Sequence, residues 1–314
     1  MTVLRRYSRE LAVAGVYALV LLAMALLTPA FFRGQFAGTW VQAAPVLVAA
    51  AGMTLVIVAR HIDISIGSLF SVCGVLAALA AKMGWPMPVV AVATIAVGVL
   101  VGMVNGALVA FAGLPSIVVT LSTMVILREA LRWARQGEDV RDLPASFQWF
   151  CLSQTAGQIA LVVIAAIVTA ALAWATRHLA GGRAVFAVGS DAAAARLAGI
   201  RPKQVTFVTF ALLGGLVGLA ALLNGVRFPQ ANTNAGNGLE LQVIAAVVVG
   251  GTAITGGRGS LLGTLVGVAL LITVGPALAF LSLPPQWERA VQGVIILAAV
   301  ASDRLLAKSE GAAA

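Results

Sequence analysis

Charge is scarce in this chain: Asp, Glu, Lys and Arg make up 10% of 314 residues, against 61% hydrophobic and a mean hydropathy of +1.03. Soluble domains carry about a quarter charged residues, so this composition excludes an ordinary water-soluble domain and places the chain in a bilayer. Cysteine is almost as rare. Cys73 in an apolar run and Cys151 in a polar stretch give neither a disulfide framework nor metal-ligand spacing. The two histidines, His61 and His178, stand at the ends of apolar runs, which excludes a metal cluster and an evident Ser/His/Asp or Cys/His catalytic set. The chain therefore reads as a non-enzyme. Its net charge of +9 has to be read loop by loop against membrane sidedness and is no sign of a nucleic-acid partner.

Long apolar runs are what the chain has in plenty. Crossing about 30 Å of hydrocarbon takes roughly 20 helical residues. Ten windows qualify: Leu11 to Phe31, Trp40 to Ala59, Ile64 to Ala81, Pro88 to Phe111, Leu114 to Leu127, Gln158 to Thr176, Gln204 to Val226, Leu239 to Thr255, Ser260 to Leu281 and Trp287 to Ser302. The fifth and eighth are short, so eight full spans with two re-entrant segments is the alternative reading. The expected fold class is all-α, one polytopic membrane domain over residues 1–314. Arg5, Arg6 and Arg9 precede a first apolar run longer than the roughly 7–15 residues of a cleaved signal core, which fits an uncleaved first span.

With an even count of spans, both termini share one side. That side carries Arg5, Arg6, Arg9, Arg60, Arg177, Arg183, Arg196, Arg201, Lys203, Arg258, Arg304 and Lys308. The other carries Arg33, Lys82, Arg128, Arg132, Arg135, Arg141, Arg227 and Arg289, four of them in one long acid-balanced loop over 128–158. Cytoplasmic loops carry the excess of Lys and Arg. Both termini, and the polar segment 177–203 with Arg177, His178 and Asp191, are thus expected in the cytoplasm, and the 128–158 loop outside.

Packing signals point to a bundle. Gly98, Gly102 and Gly106 recur every fourth residue, as do Gly259, Gly263 and Gly267, with Gly214 and Gly218 on a further run. Small residues at that spacing let backbones approach where lipid offers no hydrophobic drive. Ile62 to Leu69 (IDISIGSL) and Ile254 to Leu261 (ITGGRGSL) form a weak internal echo, of the kind that repeats in transporters produce. Gly250 to Ser260 lacks the Gly-Lys-Ser/Thr ending of a phosphate loop and is followed by an apolar run. Any ATP must bind in another chain.

Polar side chains within or at the ends of spans are the candidate translocation pathway: Asp63, Ser65, Asn105, Asn224, Glu240 and Gln242, beside Gln42 and Arg258. Such groups face a water-filled cavity or a partner. Helix capping also accounts for Asp63 and Ser65, surface hydration for Glu240, and helix-to-helix hydrogen bonding for Asn105. Outside, Arg132, Trp133, Arg135 and Trp149 suit docking of a soluble partner, or an amphipathic cover on the membrane. In the cytoplasmic segment, Gly189 to Ile200 reads as a turn, an Asp or Ser cap, a short Ala-rich helix and a Gly stop. A helix that short needs a groove to lie in.

Gly52 to Ile57 leading into Ile62 to Ser68, Gly106 to Leu121, Val188 to Ile200 and Ala245 to Thr264, taken in order over nearly the whole chain, resemble the permease subunits of bacterial ABC importers for monosaccharides. Ile126 to Trp133 and Leu143 to Trp149 look most like rhamnose-importer permeases, with ribose, xylose and autoinducer-2 permeases next. The resemblance implies a multi-pass protein of the bacterial inner membrane, working with a second permease copy or paralogue, cytoplasmic ATPase subunits that bind ATP and Mg, and a periplasmic sugar-binding protein. It also implies that Gly189, Asp191, Ala194, Ala195, Arg196, Gly199 and Ile200 form the helix that couples to the ATPase. Ala193 stands where related importers have a Glu. A branched-chain amino-acid permease shares the scaffold, and a gated channel or passive facilitator is the rival from another class. The cofactor expectation for this chain itself is none.

Overall fold

The computed structural model describes residues 8–27, 31–32, 36–280, 282–284, 286–288, 290–295 and 297. Arg5, Arg6, Arg33, Arg289, Arg304 and Lys308, with part of the last expected span, lie outside these residues. Each of the other expected windows coincides with a helix: α1 (Ser8–Leu27), α2 (Phe36–Val58), α3 (Ile66–Lys82), α4 (Met87–Ala110), α5 (Ser116–Arg135), α6 (Gln154–His178), α9 (Pro202–Gly225), α10 (Leu239–Val249) and α11 (Leu261–Phe280). Between α6 and α9 lie α7 (Ala180–Ser190) and α8 (Ala192–Leu197). Among the described residues the β-structure is one isolated antiparallel bridge, Val140 to Ala231.

Two boundaries differ from the sequence reading, each for a local reason. The fifth span does not stop at Leu127. It continues to Arg135 and ends where Gln136 takes a left-handed φ of 51°, so residues 128–135 of the expected loop are helix. Its last turns are amphipathic, which apolar-run counting misses. The eighth span is shorter than expected, with 11 residues closing at Gly250 and Gly251, the latter at φ +90°. At 1.5 Å per residue it rises about 16 Å, half the hydrocarbon thickness, as a re-entrant segment does.

α2, α4, α6, α9 and α11 are long and apolar enough to cross a membrane. α2 is buried on all sides from Ala43 to Val58, the mark of a helix inside the bundle. α9 lies beside it, with α4 against α9 and with α10, α11 and α6 against α2, while α5 sits at the edge on α3 and α4. The α4–α9 contact is backbone on backbone. A Cβ at Gly98 would stand 2.2 Å from the Gly214 carbonyl oxygen, and one at Gly102 2.3 Å from that of Phe210. The second glycine series divides. A Cβ at Gly267 would stand 2.1 Å from the Ala246 carbonyl oxygen across α10–α11, whereas Gly259 precedes α11 and packs on Val58 and Thr252. The internal echo shifts register likewise, since Gly67 lies inside α3 and Gly259 ahead of α11.

Candidate functional site

The extended stretch between α2 and α3 returns the chain to Ile66, where α3 starts beside α4 and α5. Polar atoms converge there. Asp63 Oδ1 accepts from the Ser65 amide (2.8 Å) and the Ser65 hydroxyl (2.6 Å), and Asp63 Oδ2 accepts from Asn105 Nδ2 (3.4 Å). Asn105 Nδ2 also donates to Ser65 Oγ (3.0 Å), and its Oδ1 accepts from Thr123 (2.7 Å). The Ile64 amide donates to Thr120 Oγ1 at 3.1 Å. Asp63, Ser65 and Asn105 are buried. Their mutual satisfaction is what makes such burial tolerable, and it ties the start of α3 to α4 and α5. Ser65, at the cap position of α3, makes no side-chain cap bond, and Asp63 accepts from the Ser65 amide ahead of the first helical residue.

The other predicted pathway residues divide between neighbouring places. Glu240, buried on α10, lies against Gly67, and its Oε2 has no hydrogen-bond partner among the described residues. Asn224 accepts from Arg227 (3.4 Å) and lines a cavity of about 270 Å³ with Ser71 and Phe228. Gln242 is half-buried on α10. A second cavity, of about 250 Å³, lies between α3, α5 and the segment after α9. It is lined by Ser68, Ser71, Thr233, Asn234 and Asn237, which sequence reasoning did not single out as site residues, together with Arg128 and Arg132 of the outer basic set, the latter one of the predicted docking residues. The signal was there in the run Gln230-Ala-Asn-Thr-Asn-Ala-Gly-Asn237, too amide-rich for an ordinary connection.

At the α7–α8 end, three chain segments meet through their backbones. The Gly257 amide donates to the Val58 carbonyl (2.8 Å), and Gly189 packs so closely that a Cβ there would stand 1.8 Å from the same oxygen. The Arg60 guanidinium donates to the Ser190 carbonyl. Asp191 then caps α8, its Oδ1 accepting from the amides of Ala193 (2.8 Å) and Ala194 (3.0 Å). The Ala194 amide, then that of Ala193, holds the Asp191 carboxyl below its ordinary value. α8 ends with the Ile200 amide on the Ala195 carbonyl (3.0 Å) and Gly199 at φ +81°, where a side chain is disfavoured. Ala195 is buried, Ala194, Arg196 and Gly199 are exposed, and Leu197 is 92% exposed.

The four predicted docking residues separate as well. Trp133 is 85% exposed, beside an exposed Arg132–Glu129 pair at 3.4 Å. Arg135 is half-buried with Nε unpartnered among the described residues. Trp149 turns inward, packing on Gly157 of α6 while its amide donates to the Val226 carbonyl (2.8 Å).

A close-packed bundle of bilayer-length helices, with a half-length helix among them, defines a polytopic helical membrane protein. The profile described as branched-chain amino acid transport system / permease component matches residues 35–300, and the chain belongs to that family. Among curated relatives, the autoinducer 2 import system permease protein LsrC of Shigella flexneri is 31% identical over 294 residues, covering 92% of this chain and 86% of the relative. LsrC of Escherichia coli (strain K12 / DH10B) gives the same figures. LsrC of Salmonella paratyphi B is 31% identical over 257 residues, 82% of this chain and 74% of the relative. No solved structure matches. The protein is a multi-pass permease component of the bacterial inner membrane.

Proposed function

We propose that this chain is the permease subunit of a binding-protein-dependent ABC importer that moves a sugar-type solute into the cytoplasm, with ATP hydrolysed by separate subunits that grip α8. The observation that carries the reading is the build of α8: capped by Asp191, stopped at Gly199, presenting an almost fully exposed Leu197, and fixed to α2 and the α10–α11 loop through Gly189 and Arg60. A lone exposed leucine on a six-residue helix suits insertion into a partner's cleft. Rigid backbone contacts behind it suit transmission of force into the core. On this reading segment 177–203 is the cytoplasmic coupling segment, residues 136–153 the main external loop, and 1–314 one permease domain. The basic-residue distribution supports that orientation. The Asp63–Ser65–Asn105 group then closes the route in this conformation, with Glu240 beside the start of α3 at Gly67, Gln242 further along α10, and Asn224 at the opposite end of α9. Arg132 and Trp133 form the exposed part of the binding-protein surface, and Arg135 and Trp149 support it. A second permease copy or paralogue completes the pair.

Rhamnose and autoinducer 2 are the first solutes to test, the former from the resemblance at Ile126 to Trp133, the latter from the names of the relatives. The family description keeps a branched-chain amino acid as the second reading. Leu197→Asp tests the ATPase contact directly: the permease should still insert in the membrane but no longer co-purify with its ATPase subunits. Wild-type recovery of the ATPase on the variant overturns the assignment of α8.

A further inference from the structure

The cavity between α3, α5 and the segment following α9 carries an assignment of its own, which rests on the sugar-type import reading. We propose that it is the outward-facing binding site of this chain for an uncharged, oxygen-rich small solute, held by Ser68, Asn234, Asn237 and Arg128. Ser68 is 4% exposed, lines the cavity, and has no hydrogen-bond partner among the described residues. A buried hydroxyl left unpaired is costly unless the cavity supplies the partner.

The wall opposite Ser68 is built before any solute arrives. The Gly236 amide donates to Ser71 Oγ (3.0 Å), and Gly236 lies so close to Gly67 that a Cβ would stand 1.8 Å from the Gly67 carbonyl oxygen. The Asn234 amide donates to Asn232 Oδ1 (2.6 Å), Asn237 Nδ2 to Asn234 Oδ1 (3.4 Å), and the Thr233 amide to Asp139 Oδ1 (2.9 Å). These bonds fix the arc and leave Asn234 Nδ2 as donor and Asn237 Oδ1 as acceptor. Arg128, half-buried on α5, adds donors from the facing wall and has no ion pair with a described residue. Fixed donors and acceptors of this kind lower the ordering cost of binding.

The chemistry of the lining selects its ligand. Hydroxyls, amides and guanidinium groups line it, and among the described lining residues there is no carboxylate. The ammonium of an amino-acid zwitterion finds no counter-charge, and its apolar side chain meets little beyond Leu131. A solute carrying several hydroxyls and a carbonyl instead gives acceptors to Arg128 and Asn234 and donors to Ser68 and Asn237. The volume of about 250 Å³ lies below the roughly 300–1,000 Å³ of drug-sized sites, as a single sugar requires. Ser68 is one turn beyond Ser65, so the floor of the cavity adjoins the hydrogen-bonded Asp63–Ser65–Asn105–Thr123 group. A solute seated here stands directly above that closure.

The test uses the complete importer, with its ATPase subunits and binding protein, in liposomes. Initial uptake of L-rhamnose, D-ribose, D-xylose and L-leucine is compared for wild type, Ser68→Ala, Asn237→Ala, Arg128→Gln and Arg128→Lys. Asn237→Ala and Arg128→Gln should lower sugar uptake about tenfold and alter the ratio between sugars, with part recovered in Arg128→Lys. Ser68→Ala, which removes one oxygen, should shift the ratio at normal membrane levels. Unchanged rates and ratios in all variants overturn the site, as does a uniform loss with no change of ratio. Competitive inhibition by inorganic phosphate overturns the uncharged class. Uptake of leucine and of no sugar by the wild type instead refutes the import reading beneath it.

Discussion

Replacing Gly189 by Ala should uncouple ATP hydrolysis from uptake. The added Cβ would lie 1.8 Å from the Val58 carbonyl oxygen and 2.8 Å from the Gly257 nitrogen. Carbon and oxygen approach to about 3.3 Å, so the end of α7 must retreat by about 1.5 Å from α2. Nothing in that contact is the far end of a flexible side chain; all of it is backbone. Overpacking of this kind costs about 1–3 kcal/mol, and loss of the Gly257-to-Val58 hydrogen bond adds about 1 kcal/mol. Even 2 kcal/mol moves an equilibrium roughly thirtyfold. The displaced end carries Ser190, the acceptor of the Arg60 guanidinium, and leads straight into the Asp191 cap of α8. Uptake in liposomes containing the ATPase and binding protein should therefore fall about tenfold or more, with ATP hydrolysis retained and membrane levels unchanged. Gly181→Ala is the control. It lies in the same helix with open space around the added methyl, and Ala is favoured over Gly in a helix. Wild-type uptake and coupling in Gly189→Ala would refute the idea that this junction carries force.

Three further outcomes follow from the geometry. Gly214→Val, whose Cβ would stand 2.1 Å from the Gly98 carbonyl oxygen, should separate α4 from α9 and cost about 3 kcal/mol or more, read as a lower midpoint in thermal unfolding of the detergent-solubilised protein. Asn105→Leu strips Asp63 and Thr123 of a partner and should destabilise by about 1–3 kcal/mol in the same assay, with Asn105→Gln failing to rescue because the longer side chain misplaces both amide ends. For Asp191 the folded carboxyl titrates below its ordinary value, so its capping contribution is complete above the normal carboxylate range and is lost as pH falls through the lowered value. Uptake should thus show no dependence on this group between about pH 5 and 8, and Asp191→Ala should lower uptake while Asp191→Asn, also a good cap, retains it.

Apolar run length found the spans because lipid imposes it, and the α4 and α9 glycines marked a true backbone contact because only small residues permit one. Charged turns on an amphipathic edge helix defeated the same reasoning at Arg128 to Arg135, where the helix continues beyond the apolar run. In the wet segment the cap at Asp191 and the stop at Gly199 were legible from residue type. Helix α7 was not, since it holds Gly181 and Gly182 in its first turn and Gly is among the weakest helix formers. Asn105 was visible as a buried amide needing a partner, but which partners it takes depends on where the 59–65 stretch re-enters the bundle. The cavity lined by Ser68, Asn234 and Asn237 was hardest to see. Ser68 lies more than 160 positions from Asn234 and Asn237, and the two stretches meet through the close approach of Gly67 and Gly236 and the Gly236-to-Ser71 hydrogen bond.

The most direct measurement is ATP hydrolysis by the complete importer in liposomes, with the binding protein supplied outside and candidate solutes added one at a time. Stimulation by a monosaccharide or by autoinducer 2, abolished when Leu197→Asp removes the ATPase contact, is the result expected of a sugar-type import permease. Stimulation by leucine and by no sugar, or solute flux that continues without ATP, would contradict it.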